Sequence, residues 1–389
     1  MAITLNYATI FTPSQILERS AVVADDEGKI VFIGPMEDAP RLSGLSLDMR
    51  GKIVIPGFLD IHVHGGHGIT FGQADTLEED LRAYAAWVVE NGVTGFLTSI
   101  TGPTSEAIAD LVRSYVKLFE NGIPGAEPLG IHLEGPFMNI ERKGAQNPDW
   151  IRDPSLEEAE LYLQAGQGWI HQMTMAPELP NAEEVAARYR QEGILLAIGH
   201  TAADYEAAVK AIEGDWNHIT HTYNAQTGLH HRAPGVLGAV LGSDEITAEL
   251  IADTIHVHPG AMKVLLRCVG ADRVVLITDA MAGAGLFDGE YELLGIKVTV
   301  REGKATQDDG TIAGSAAVMN QCVRNVHREV GVPLAQAVKM ATLNPARAIG
   351  LSNRLGSLSE RKDASLAVID EDVNVYLTMV RGEIVYNRL

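Results

Sequence analysis

The chain has 389 residues, 46% of them hydrophobic, enough to bury one large core and a smaller second unit. Its formal charge of −21 excludes non-specific attachment to nucleic acid or anionic lipid, because the long-range field repels both. No stretch reaches the roughly 18 apolar residues of a membrane span, residues 1–10 show no basic leader or cleavage pattern, and the distant Cys268 and Cys322 form neither a CxxC pair nor a disulfide framework, so a cytoplasmic location is expected.

In chain order, residues 1–54 predict short strands without helix, at 8–11, 20–23 and, after the turn Asp26-Glu27-Gly28, 29–33. Residues 352–389 repeat the style at 365–369, 373–380 and 383–386. Each piece alone is too small for a core, so the two chain ends are expected to combine into one small β-sandwich domain, 1–54 plus 352–389. Between them, residues 55–351 alternate short apolar runs with longer amphipathic stretches such as 77–90 and 182–192, the pattern of βα units. The runs, beginning on the boundary itself, are 53–55, 95–99, 129–133, 170–175, 194–198, 218–221, 248–252 and 274–278. Eight of them predict an α/β fold, a (β/α)8 TIM-type barrel. A doubly wound sheet is the competitor, but no GxGxxG turn opens a helix after an early strand.

In a parallel barrel the chemistry gathers at the carboxyl ends of the strands. After the first run come His62 and His64, two residues apart, so that in extended chain both rings point the same way, as two ligands of one ion must. The third run is followed by Glu134, the fifth by His200, the sixth ends at His221 and the eighth is followed by Asp279. Each alone has an ordinary reading: a hydrogen-bonded loop histidine, a turn carboxylate, a helix cap. Together, His, Glu or Asp at five strand ends, where turn chemistry favours Gly, Asn, Ser or Pro, points to a hydrolytic site for one or two divalent ions.

The strings PGFLDIHVHGG from Pro56, HLEGPF from His132, GHT from Gly199, THTYNAQTGLHHRAPG from Thr220, IADTIHVHP from Ile251, LITDAM from Leu276 and GTIAGS from Gly310 resemble the amidohydrolase superfamily. Within it, they resemble the N-acetylglucosamine-6-phosphate deacetylases, over nearly the whole chain. The resemblance implies that Glu134, His200 and His221 hold the principal metal, with a metal-activated hydroxide as nucleophile. It makes Asp279 the general acid/base and His256 the group that polarises the amide carbonyl. Asn224, Ala225 and Arg232 then bind the amino-sugar phosphate, and Arg232 reaches into the active site of the neighbouring subunit of a homodimer. His230 and His231 beside Arg232 are further donors, and Arg142 and Lys143 are more simply solvated loop cations.

His62 and His64 imply capacity for a second ion bridged through Glu134, with Asp279 nearby; zinc, iron, manganese and cobalt all suit such ligands. Two departures from the family stand out. Gln146 occupies the place of a common histidine, which leaves the N-acetylgalactosamine epimer open as substrate, and Ala282-Gly283-Ala284-Gly285 lacks a frequent proline. The alternatives are another amidohydrolase deacylase, or a metal-free scaffold barrel. A dihydroorotase-like enzyme would need a bridging lysine, and the fourth run offers none.

Overall fold

The computed structural model describes residues 1–293 and 295–389. Eight parallel strands, Phe58–Val63, Val93–Ile100, Glu127–Glu134, Ile170–Met175, Leu195–Ile198, His218–Ile219, Thr247–Ile251 and Val274–Ile277, pair each with the next. The ring is drawn shut between the first and eighth by Asp279 N–H donating to the His62 carbonyl (2.9 Å), and by the Thr278 N–H and hydroxyl donating to the Asp60 carboxyl (3.2 and 2.5 Å). Helices follow the strands in turn, from Leu77–Val88 after the first to Met319–Asn325 after the eighth.

The helix Ser105–Glu120 illustrates the local logic. Thr104 Oγ1 accepts from the Ala107 amide at 3.1 Å, supplying the cap that the free amides of a first turn require. Ile108, Ala109, Val112, Tyr115, Val116 and Phe119 then recur at helical spacing, and all six are buried against the barrel.

The run 53–55, expected as the first barrel strand, belongs elsewhere. Ile53–Pro56 pairs in parallel with Ala2–Phe11 and antiparallel with Leu366–Ile369, inside a sheet built from both chain ends. The boundary expected after residue 54 thus falls within a strand, since Ile55 pairs with Ala367. That sheet has eight strands and branches at Ala2–Phe11, and it carries its own apolar cluster, including Leu5, Ile10, Val22, Val54, Leu366 and Leu377. Barrel and sheet are tied by ions: Arg354 donates to Glu127 at 2.8 Å and to Asp363 at 2.8 Å, and Asp363 also pairs with Lys29.

One element was not foreseen. A three-stranded meander, Gly289–Leu293, Ile296–Arg301 and Lys304–Thr306, stands between the eighth barrel strand and its helix. Its buried face, Leu293, Val298, Val300 and Ala305, packs on Met281 and Ala313 beside the barrel mouth.

Candidate metal centre

The side chains expected at strand ends converge. Two groups each place a ligand atom from every member within 4.8 Å of the others: His62, His64 and Asp279 form one, and Glu134, His200 and His221 the other. All six are buried. His62 and His64 lie within and just after the first strand, and Glu134 is the last residue of the third. His200, His221 and Asp279 sit just past the fifth, sixth and eighth strands at φ of 47°, 29° and 49°. The left-handed region is unfavourable for side chains other than glycine, by about 1–3 kcal/mol per residue, and such strain collects at functional sites. Here the turns bring three ligands to one mouth.

Glu134 lies between the groups. Its Oε1 is 3.1 Å from His200 Nε2, 3.3 Å from His221 Nε2 and 3.4 Å from His62 Nε2, and its Oε2 is 3.1 Å from His64 Nε2. Asp279 Oδ1 is 3.3 Å from His64 Nε2 and 3.6 Å from His62 Nε2. The proton positions decide what this arrangement suits. His200 Nδ1 donates to the Arg142 carbonyl at 2.9 Å, and His62 Nδ1 donates to Glu249 at 2.9 Å, so in the neutral rings both Nε2 atoms carry lone pairs. Those lone pairs face the Glu134 carboxylate, and His200 Nε2 faces His221 Nε2 at 3.1 Å. Acceptors opposing acceptors in a buried place call for a cation among them. His62 Nε2 in particular is buried without a hydrogen-bond partner among the described residues. A carboxylate behind a ligand imidazole is also the usual outer partner of a metal-bound histidine.

The electrostatics agree. Burial opposes the charge on Glu134, yet the His62, His200 and His221 rings hold its carboxyl well below the usual range. Burial likewise disfavours protonation of His64, but Asp279 and Glu134 raise its pKa to about 9. Carboxylates that pull protons onto buried imidazoles mark a site short of positive charge. His256 is pushed the same way: against burial, Asp253 raises its pKa by accepting from Nδ1 at 2.6 Å, and in the protonated ring this favours, Nε2–H is left free to donate.

His64, Glu134, His200, His221, Asp279 and His256 line a cavity of about 320 Å³ together with Asn224, Ala225, Gly144, Ala145 and Gln146, and it is lined on the side of the meander by Leu293, Thr311, Ile312 and Gly314. Gln146 donates from Nε2 to Glu134 Oε2 at 2.8 Å. Arg232 does not join them. It is exposed on the turn between His230 and Ala233, with Nη1 2.8 Å from His231 Nε2.

Residues 53–385 match the Amidohydrolase family. The chain belongs to that family. As an amidohydrolase it is a metal-dependent hydrolase, and its buried imidazoles and carboxylates fit a divalent cation. It is similar to the N-acetylglucosamine-6-phosphate deacetylase of Bacillus subtilis (strain 168), with 36% identity over 384 residues, 97% of this chain and 95% of the relative. It is also similar to an N-acetylgalactosamine-6-phosphate deacetylase of Escherichia coli O157:H7, with 36% identity over 334 residues, 86% of this chain and 88% of the relative. Among solved structures, a variant Mycobacterium smegmatis N-acetyl-D-glucosamine-6-phosphate deacetylase in complex with N-acetyl-D-glucosamine-6-phosphate superposes with a TM-score of 0.91 at 32% identity, over 100% of this chain and 99% of that one. No helix among the described residues is long and apolar enough to cross a membrane.

Glu249 and Gln146 both support the amidohydrolase centre in ways their sequence context does not announce. Glu249, in the seventh strand, was passed over as part of an apolar run. Gln146 was noticed only as a departure, without its contact to Glu134. The available signal for Glu249 was an acidic residue between Ala248 and Leu250 in a strand buried from Ala248 to Ile251.

Proposed function

We propose that this amidohydrolase removes the acetyl group from N-acetylglucosamine 6-phosphate, releasing glucosamine 6-phosphate and acetate. The convergence of Glu134, His200, His221, His62, His64 and Asp279 at one barrel mouth carries the reading. The full-length similarity to deacetylases of 6-phosphorylated N-acetyl hexosamines supports the substrate class. Glu134, His200 and His221 would hold the principal ion, and His62, His64 and Asp279 a second, with zinc, iron, manganese or cobalt suiting these ligands. Such a cation would supply Lewis acidity toward the acetyl carbonyl and a water of pKa about 7.

The protein's own groups carry the rest. Asp279, kept ionised by His62 and His64 despite burial, takes the proton from the attacking water and returns it to the departing amine, which leaves poorly without it. His256, oriented by Asp253, donates to the carbonyl oxygen as charge develops there. Asn224 and Ala225 position the sugar phosphate. No lysine or arginine is among the described residues lining the cavity, so a phosphate dianion there needs a cation from outside it. Arg232, exposed and offering a planar fork, supplies this from a second copy of the chain, making the working form a homodimer. A cytoplasmic location accords with two unpaired cysteines.

Gln146 gives the galacto epimer a specific claim as a second substrate, because it lines the cavity with an amide in place of an imidazole. The test is acetate release by metal-loaded protein from both N-acetyl hexosamines, each with and without the 6-phosphate. Release that needs the phosphate supports the reading, and equal rates without it overturn the substrate class.

A further inference from the structure

Glu249 is fully buried in the seventh barrel strand. Taking a carboxylate out of water costs several kcal/mol unless every acceptor position is met. Here four donors meet it. Gln172 Nε2 (2.7 Å) and His218 Nε2 (3.2 Å) donate to Oε1, while His62 Nδ1 (2.9 Å) and the His221 backbone amide (2.9 Å) donate to Oε2. The two oxygens differ in what they serve. Oε1 is held by residues inside the barrel, His218 being braced in turn by Thr247 Oγ1 at 2.5 Å. Oε2 joins a side chain of one ligand group to the backbone of the other.

We propose that Glu249 is a positioning residue that couples the two cation subsites. With Nδ1–H committed to Glu249, the His62 ring presents its Nε2 lone pair to the barrel mouth. The same oxygen pins the His221 amide at φ 29°, where the chain turns to aim that imidazole at Glu134. The inference rests on the reading in which both subsites take an ion. It adds that neither is independent of the other, since disturbing one oxygen frees a ligand of each.

Cobalt(II) titration of chelator-stripped protein, counting ions per chain and following visible absorption, tests this without reference to turnover. Wild type is expected to take up two ions. Glu249→Met keeps the side-chain volume but offers no acceptor, so it is expected to take up one, bound about ten- to a hundredfold more weakly, the usual effect of removing an outer partner of a metal ligand. Glu249→Gln is expected to keep two, both weakened by about tenfold, because Gln172 and His218 can each reverse their donor and leave the amide oxygen, a weaker acceptor than a carboxylate, on His62 and His221. Gln172→Met, which disturbs only Oε1, is expected to match wild type. Two ions in Glu249→Met at wild-type affinity overturn the coupling, as does equal loss in Gln172→Met, which makes the carboxylate merely part of the packing. A wild-type protein that holds one ion instead removes the two-ion reading beneath it. Should Glu249→Met fail to fold by circular dichroism, the Glu249→Gln arm decides: weakening of both ions supports the coupling, and weakening confined to one subsite, or none, refutes it.

Discussion

Replacing Asp279 by asparagine separates proton transfer from architecture. The backbone of residue 279 closes the barrel by itself, through its N–H to the His62 carbonyl (2.9 Å) and its carbonyl to the Ser315 amide (2.7 Å), and neither bond involves the side chain. Asparagine also tolerates the φ of 49° at this position better than most residues do, so the substitution adds little strain. The ligand group Glu134, His200 and His221 does not include residue 279. What disappears is a base, since an amide cannot take up a proton near neutral pH, and with it the carboxylate ligand of the second subsite, whose occupancy the metal analysis reads separately. A positioned proton-transfer group contributes about two to four orders of magnitude, or about 2.7–5.4 kcal/mol at roughly 1.36 kcal/mol per decade. Because the group acts on the reacting atoms, kcat and kcat/KM are expected to fall together, leaving KM nearly unchanged. The assay is acetate release from N-acetylglucosamine 6-phosphate, run beside metal analysis of the same preparation. A variant that keeps its principal ion and loses less than about tenfold in turnover would refute the assignment.

Arg232→Ala is expected to raise KM by about 10- to 100-fold with a smaller change in kcat, the loss of one charge-assisted fork to phosphate; an unchanged KM for the phosphorylated substrate removes Arg232 from binding. Sedimentation of the wild type is expected to show a dimer, and a monomer with full activity contradicts a donated arginine. Gln146→Leu keeps the volume but leaves Glu134 Oε2 without its amide donor, at about 1–3 kcal/mol, so metal affinity measured by competition with a chelator should weaken about 5- to 150-fold. Arg354→Met leaves Asp363 and Glu127 without a shared cation where the terminal sheet meets the barrel. Arg354 is partly solvated, so the expected loss is at the low end for a broken buried pair, about 2 kcal/mol, read as a fall of several degrees in Tm; an unaltered melt means water screens the pair fully.

The barrel was legible because seven of its strands are short apolar runs separated by helical periodicity, and such runs are buried on both faces. The first strand misled for a physical reason. Ile53–Pro56 and Phe58–Val63 are both buried, and a single residue, Gly57, separates them. Periodicity cannot say which sheet an apolar run joins. Gly57 is the switch: its N–H bonds to Ser365 in the terminal sheet, and a Cβ there would lie 2.1 Å from the Thr94 side chain in the barrel. The meander escaped because its strands are half exposed and carry charges such as Glu290 and Lys297 outward, which reads as loop. Its alternation, Lys297 and Thr299 against buried Val298 and Val300, was the available signal.

The ligands themselves were readable because strand ends announce them: a histidine or carboxylate there displaces the residues that turns prefer. Their supports were not, and the reason lies in how a barrel is built. Glu249, His132 and Gln172 lie within strands and His218 opens one, all four buried where a polar residue looks like an interruption of an apolar run. Its partner lies on another strand, 187 residues away for Glu249 and His62, so no local pattern announces the pair. What identifies such a residue is the saturation of its acceptors in three dimensions. A buried carboxylate with four donors is too costly to be an accident of packing, and the donor it fixes most consequentially is the ring whose other nitrogen has no hydrogen-bond partner among the described residues. The chain therefore advertises the groups that touch the cation and conceals those that aim them.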